Sequence, residues 1–227
     1  MKKIIALTGA GISAESGIST FRDKDGLWEG HDVMEVASPS GWKNNPTLVN
    51  NFYNERRRNL LNVKYNSAHK ALAELESHYD VHIITQNVDD LHERAGSIHV
   101  NHLHGELLKV RSSINENLIY DWKTDLEIGD LCEQGSQLRP HIVWFGEMVP
   151  ALPNAIKIIS NADIVLIIGT SLQVYPAASL ISFAPQNAIV YYLDPKPYIS
   201  HELKLRHHKI MKCKATEGML KIKEELL

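Results

Sequence analysis

Short runs of apolar, mostly β-branched residues at Lys3–Thr8, Val81–Thr85, Asp163–Gly169 and Ala188–Leu193 limit how this 227-residue chain can fold more than any other feature. Runs of this kind read as strands buried on both faces. Segments of helical spacing separate them. Asn66–Ser77 places Ala68, Ala71, Leu72 and Leu75 on one face behind Asn66 or Ser67 as cap. Pro176–Phe183 and Thr216–Leu226 read as further helices, the first opening on a proline where a missing N–H costs little. Strand and helix in alternation predict an α/β fold, a Rossmann-like parallel sheet with helices on both faces. Leu27–Val63 and Lys109–Arg139 break that rhythm, the second being polar and rich in turns. The expectation is one domain over 1–227. In it the helical excursion 27–63 and the inserted segment 109–139 form a smaller module and leave a cleft against the sheet.

Composition narrows the classes of function. A hydrophobic share of 44% can fill such a core, and a net charge of −3 gives no general pull toward nucleic acid or an anionic membrane. Any anion must therefore be bound locally. Lys2-Lys3 before Ile4–Leu7 resembles the start of a secretion signal, but the apolar run falls short of the roughly 7 to 15 residues such a signal needs. No stretch approaches a membrane span. Cys132 and Cys213 are the only cysteines, so a disulfide framework is excluded and a reducing cytoplasm is expected. A monomer is the expected state.

The first apolar run leads straight into Gly9-x-Gly11-x-x-Ala14, a spacing that fits a dinucleotide fingerprint and equally a plain strand-to-helix turn. On the first view, backbone N–H groups crowd against a phosphate. A dehydrogenase of this type needs an acidic ribose ligand about 20 positions further on, at the end of a second strand. The region Asp25–Gly30 reads as loop instead, which argues against hydride transfer.

His104 is the candidate base. It lies in Val100–Glu106, a strand end where His102 and His104 share a face and Gly105 allows close approach of a ligand. An imidazole titrates near neutrality and can take a proton from a hydroxyl. Taken alone, His99 and His102 read as hydrogen-bonded core histidines, and a metal site from His99, His102 and His104 stays open. Gln86-Asn87-Val88-Asp89 alone would also serve as a capping turn after a strand. Gly169-Thr170-Ser171 and Tyr192-Leu193-Asp194 end apolar strands, where ligands bind in open parallel sheets. Asn45-Pro46 opens a helix through Leu61, on which Tyr53 and Arg56 stand three apart and can point to one place. The competing view makes Glu55–Arg58 a solvated face with Phe52 and Leu60 buried behind it.

Gly9–Ile18 with Phe21-Arg22-Asp23 resembles the opening of the sirtuins, the NAD-consuming protein-lysine deacylases. Further blocks follow in that family's order: Thr85–Asp89, Leu103–Glu106, Val143–Glu147 and Gly169–Leu172 with Val174 and Pro176. The resemblance runs from Ile4 to about Ala215. It implies NAD as the cofactor and acylated lysine side chains of proteins as the substrate. The amide oxygen attacks the nicotinamide ribose, nicotinamide leaves, and His104 activates a ribose hydroxyl. Free lysine and O-acyl-ADP-ribose result. By the same resemblance Asn87 and Asp89 act beside His104. Gly9, Ala10, Gly11, Ser13, Glu15, Phe21, Arg22, Gln86, Gly169, Thr170, Ser171, Tyr192, Leu193, Asp194 and Ala215 hold the cofactor. Val143, Trp144, Phe145, Gly146, Glu147, Leu172 and Val174 form two edges between which a substrate peptide lies as an added strand. Tyr53-x-x-Arg56 resembles the sirtuin class that removes succinyl, malonyl and glutaryl groups, since a guanidinium and a phenol together reward an acidic acyl chain.

The pattern breaks in one place. Most sirtuins carry four cysteines for a structural zinc, whereas Lys109–Arg139 holds only Cys132, with Ser112-Ser113 where a first pair would begin. One thiolate cannot close a tetrahedral site. The expectation is a metal-free module packed on Val110, Leu118, Ile119, Trp122, Leu126, Ile128 and Leu131. ADP-ribosyl transfer and NAD glycohydrolysis remain as alternatives that would use the same cofactor site.

Overall fold

The computed structural model describes residues 1–20, 27–28 and 30–227. In chain order the elements are β1 (Lys3–Thr8), β2 (Leu27–Trp28), β3 (His31–Asp32), α1 (Val33–Val36), α2 (Pro39–Asn44), α3 (Pro46–Asn62), α4 (Ser67–Leu75), β4 (Asp80–Thr85) and α5 (Leu91–Ala95). They continue with β5 (Val100–His102), β6 (Gly105–Ser112), β7 (Ile119–Asp121), β8 (Leu138–Ile142), α6 (Leu152–Ile159), β9 (Ile164–Ile168), β10 (Ile189–Leu193), α7 (His201–Lys204), β11 (His208–Met211) and α8 (Ala215–Leu226). Ala10–Ile12, Ala14–Ser16 and Ala177–Phe183 are 3₁₀ turns, so the segment after Pro176 winds more tightly than the α-helix its spacing predicts.

Six parallel strands form the main sheet in the order β11-β10-β9-β1-β4-β5. The side-chain period of two divides β1 between two cores. Ile5 and Leu7 pack with Val165, Ile167, Val190 and α6 on one face. Ile4 and Ala6 pack with Leu166, Ile168, α4 and α8 on the other. Thr8 is level with Thr85 and Ile168, and Ile168 with Leu193, so the loops after β1, β4, β9 and β10 leave the sheet at one edge. The strand order reverses between β1 and β9, which opens a crevice there.

The smaller module contains an antiparallel sheet in the order β7-β6-β8. It starts at Gly105 and runs to Ile142, beyond both ends of the polar segment seen in the sequence. Val110, Leu126, Cys132 and Leu138 are its buried centre. Ile119, Ile128 and Leu131, expected inside, are exposed at its surface, while Leu118 and Trp122 are half-buried. In a module this small, only one face of each strand meets a partner. Ser112 Oγ lies 2.6 Å from Ser136 Oγ, which lies 3.0 Å from the Cys132 sulfur, and these hydrogen bonds close the loop at the module's end.

Helix α3 joins the two parts. Its N-terminus forms as the sequence predicts, with Pro46 in the first turn and Asn45 Oδ1 accepting from the Leu48 amide at 3.0 Å. Asn54 donates to Leu126 O at 3.0 Å and accepts from Leu126 N at 2.8 Å. Arg57 is fully buried, against the competing view of Glu55–Arg58 as a solvated face, and donates to Leu107 O, Thr124 O and Asn54 Oδ1. Burial lowers its pKa to about 10.

Candidate active site

The loops at the carboxyl edge of the main sheet and the inner side of the smaller module enclose a cleft of about 680 Å³. Gly9, Gly11 and Gly169 close its floor for a reason other than the one the sequence suggested. The Gly9 amide donates to Ile168 O at 3.1 Å and the Gly11 amide to Gly169 O at 2.8 Å, so neither is free for a phosphate. A Cβ at Gly11 would lie 2.6 Å from Gly169 Cα, and one at Gly169 2.3 Å from Ile12 N. The glycines let two protein loops cross in contact. Among the described residues, the amides of Ala10, Thr170 and Ser171 make no backbone hydrogen bond, and all three residues face the cleft.

Beside this crossing lies Gln86–Asp89. Gln86 Nε2 donates to Thr170 Oγ1 at 2.9 Å, tying the loop after β4 to the loop after β9. Ser13 Oγ donates to Asp89 Oδ2 at 2.9 Å and accepts from Asn87 Nδ2 at 3.1 Å. Burial raises the Asp89 pKa, against the pull of the Ser13 hydrogen bond. Behind Ser13 stand His69 and His92, both buried and kept neutral by desolvation, the His69 pKa being lowered to about 4.

His104 lies in the same cleft. Its Nδ1 is 3.0 Å from Gln86 O, a group that can only accept, so Nδ1 carries the proton and Nε2 holds the lone pair. Desolvation lowers its pKa, partly offset by that hydrogen bond, and the ring is neutral at physiological pH. His102 turns both ring nitrogens into the protein and His99 is an exposed ring stacked on His82 at 4.7 Å, so the three histidines do not converge on a metal. Among the described residues no group of three or more His, Cys, Asp or Glu could hold a metal ion.

The smaller module supplies the opposite wall. Glu147 accepts from Arg139 Nη1 at 2.7 Å, from Arg111 Nη2 at 3.3 Å and from the Trp144 amide at 2.8 Å, while the Arg139 guanidinium stacks 3.3 Å from the Trp144 ring. The Val143–Glu147 edge is thus anchored to β6 and β8. Trp144 Nε1 donates to the Tyr53 hydroxyl at 3.1 Å. Tyr53 is buried, and desolvation pushes its pKa above the ordinary phenol value, so it stays protonated. Arg56 also lines the cleft, its guanidinium 3.3 Å from the Phe52 ring and 4.7 Å from Trp28.

Most residues singled out in the sequence meet here, including Ala10, Glu15, Gln86, Asn87, Thr170, Ser171, Leu193, Asp194, Ala215, Phe145, Gly146 and Val174. Three stand behind the wall. Ser13 holds Asn87 and Asp89 as described. Tyr192 donates to Thr170 O at 2.9 Å, and Leu172 is buried in the core with its amide on Thr170 Oγ1. Glu15 lines the cleft and also accepts from Thr216 N and Oγ1, capping α8. Phe21 and Arg22 lie outside the described residues. Sequence reasoning missed Trp28, Asn59, Leu107, Ile142 and Lys214 in the lining. Leu107 and Ile142 adjoin recognised blocks, but nothing local marks the others.

Residues 9–176 match the Sir2 family. The chain belongs to it. A Helicobacter pylori protein named NAD-dependent protein deacylase is 65% identical over 201 residues, 88% of each chain. A Bacteroides thetaiotaomicron protein of the same name is 52% identical over 233 residues, covering 100% of this chain and 99% of that one. A Sir2 homologue solved with NAD has a TM-score of 0.88 at 40% identity and covers 99% of this chain and 89% of that one. A Sir2 homologue solved with ADP-ribose gives 0.89 at the same identity, over 99% and 92%.

Proposed function

We propose that this cleft binds NAD and an acylated protein lysine together, and that it favours acidic acyl groups such as succinyl and malonyl alongside acetyl. The chain is an NAD-dependent protein deacylase of the Sir2 family. The observation that carries the site assignment is a neutral imidazole, His104, with its Nε2 lone pair free in the cleft that also holds the glycine crossing and Asn87.

The residues present fit the dinucleotide. The cleft volume of about 680 Å³ lies within the roughly 300 to 1,000 Å³ typical of ligand pockets. The uncommitted amides at Ala10, Thr170 and Ser171 suit a diphosphate, and Asp194 with Ala215 suits the adenosine end. Asn87 keeps Oδ1 for a carboxamide or sugar hydroxyl because its amide group is held by Ser13. When bound, NAD supplies an electrophilic ribose carbon whose departing group is nicotinamide and leaves the acyl group on ADP-ribose. His104 takes the ribose hydroxyl proton at Nε2, while its Nδ1–H keeps the ring aimed through Gln86 O. Leu107, Ile142 and Trp144 give the lysine stem a dry wall. Because the Tyr53 oxygen accepts from Trp144, its own proton is directed to the acyl chain, where Arg56 adds a cation.

Residues 1–227 act as one catalytic domain, as a monomer in the cytoplasm, with a smaller module that needs no metal. The lone cysteine of that module supports this reading, its sulfur being bonded to Ser136. No described helix is long and apolar enough to cross a membrane. The test is nicotinamide release on a panel of acyl-lysine peptides. Arg56→Met should lower succinyl-lysine turnover about ten- to a hundredfold more than acetyl-lysine turnover, the effect of one charge-assisted hydrogen bond. Equal losses would remove the acidic-acyl assignment, and nicotinamide release without peptide would favour glycohydrolysis.

A further inference from the structure

We propose that His102, held as an imidazolium between Glu93 and the Asn87 carbonyl, is a positioning residue that sets the Gln86–Asp89 loop for NAD. His102 Nδ1 lies 3.0 Å from Asn87 O and Nε2 lies 2.7 Å from Glu93 Oε1. Both partners are acceptors, so both ring nitrogens must carry protons. His104, two residues on, makes the matching bond to Gln86 O. The two histidines therefore clasp successive carbonyls of one loop, one ring neutral and facing the cleft, the other charged and facing inward. Only the neutral ring faces the cleft, so of the two histidines only His104 is a candidate catalytic residue.

The surroundings support the charge. Burial alone would push the His102 ring toward neutrality, but the Glu93 hydrogen bond and charge outweigh it and the pKa ends above its ordinary value, with Glu106 helping from β6. Asp89 gains from the same cation, His92 is pushed further toward neutrality by it, and Lys109 acts on Glu93 from the far side. As pH rises through the His102 pKa, the ring must give up one proton. The carboxylate holds Nε2–H more strongly than a carbonyl holds Nδ1–H. The bond to Asn87 O is the one lost, and the loop loosens.

Glu93→Gln separates charge from position. A glutamine amide can donate to Nε2, and the neutral ring then keeps Nδ1–H on Asn87 O at every pH. His102→Gln removes the clasp itself. The inference rests on the deacylase reading for its kinetic arm, but nitrogen NMR of ring-labelled histidine tests it without any activity. Wild type should show one ring still protonated on both nitrogens above pH 7, and both variants should lack that signal. In kinetics, wild-type KM for NAD should climb at alkaline pH, Glu93→Gln should abolish that climb, and His102→Gln should raise KM for NAD about tenfold at neutral pH with KM for peptide unchanged. Mere destabilisation would lower kcat and leave both KM values alone. A singly protonated His102 at neutral pH, or the same alkaline climb in Glu93→Gln, overturns the proposal. A wild type with the doubly protonated ring but no deacylation would sink the function and leave the imidazolium standing.

Discussion

Asn54→Ala is the sharpest test of how the smaller module is held. The Asn54 side chain is 3% exposed and makes three hydrogen bonds: it donates to Leu126 O, accepts from Leu126 N and accepts from Arg57 Nη1 at 2.7 Å. Leu126 is 1% exposed, so water cannot replace the lost partners. Leaving a buried donor or acceptor unmade costs about 1–3 kcal/mol. With the Leu126 amide and carbonyl both orphaned and the Arg57 bond lost, the expected destabilisation is about 3–5 kcal/mol, the upper end of what point substitutions do. At about 2–4 °C per kcal/mol for a domain of this size, the melting temperature should fall by about 6–20 °C. Asn62→Ala removes only an exposed bond to Arg58 O and should fall within about 0.5 kcal/mol of wild type. Thermal melts of the three proteins, with hydrogen exchange over 105–142, decide the matter. An Asn54→Ala melt matching that of Asn62→Ala would refute the reasoning.

His104→Ala should abolish deacylation while NAD still protects the protein thermally, and loss of that protection would place the ring in binding instead. Since burial lowers the His104 pKa, kcat/KM for peptide at saturating NAD should lose activity through protonation of the base only on the acid side of 6.5; an acid limb with its midpoint above that value would contradict a desolvated base. Gly11→Ala puts a Cβ 2.6 Å from Gly169 Cα, backbone against backbone, and should weaken NAD binding by more than about tenfold in calorimetry, whereas wild-type affinity would show that the loops do not need to cross. Metal analysis should find no zinc in stoichiometric amount, with melts unchanged by chelator; one tightly held zinc per chain would overturn the metal-free module.

The parts legible in the sequence are those whose signal is local. Buried parallel strands announce themselves by composition, so β1, β4, β9 and β10 fall within a residue or so of their expected bounds. The cap at Asn45 and the loops at strand ends are local in the same sense. The smaller module leaves little local signal because its strands pair antiparallel across long turns and bury one face each, giving no run of apolar residues. The spacing leaves the role of the glycine amides open for a tertiary reason. The carbonyls that accept from them, Ile168 O and Gly169 O, lie far along the chain, and no spacing within Gly9–Ala14 can announce them. Ser13 lies in a recognised block and Tyr192 at a recognised strand end, yet they act through Asp89 and Thr170, a distinction that needs coordinates.

Three consecutive arginines show what fixes such roles. Arg56 lies against Phe52 in the cleft, Arg57 is buried among backbone carbonyls of the smaller module, and Arg58 pairs with Asp125 in the open. Successive residues on a helix turn by about 100°, so one residue type in a row can meet three environments. The phase of α3 decides which arginine goes where, and that phase is set by its neighbours Leu107 and Leu126. Tyr53 and Arg56 therefore face the cleft because Asn54 and Arg57, one position further on, are clamped to the module. This helix both anchors the smaller module and presents Tyr53 and Arg56 to the cleft, so the orientation of Arg56 depends on the bonds to Asn54 and Arg57.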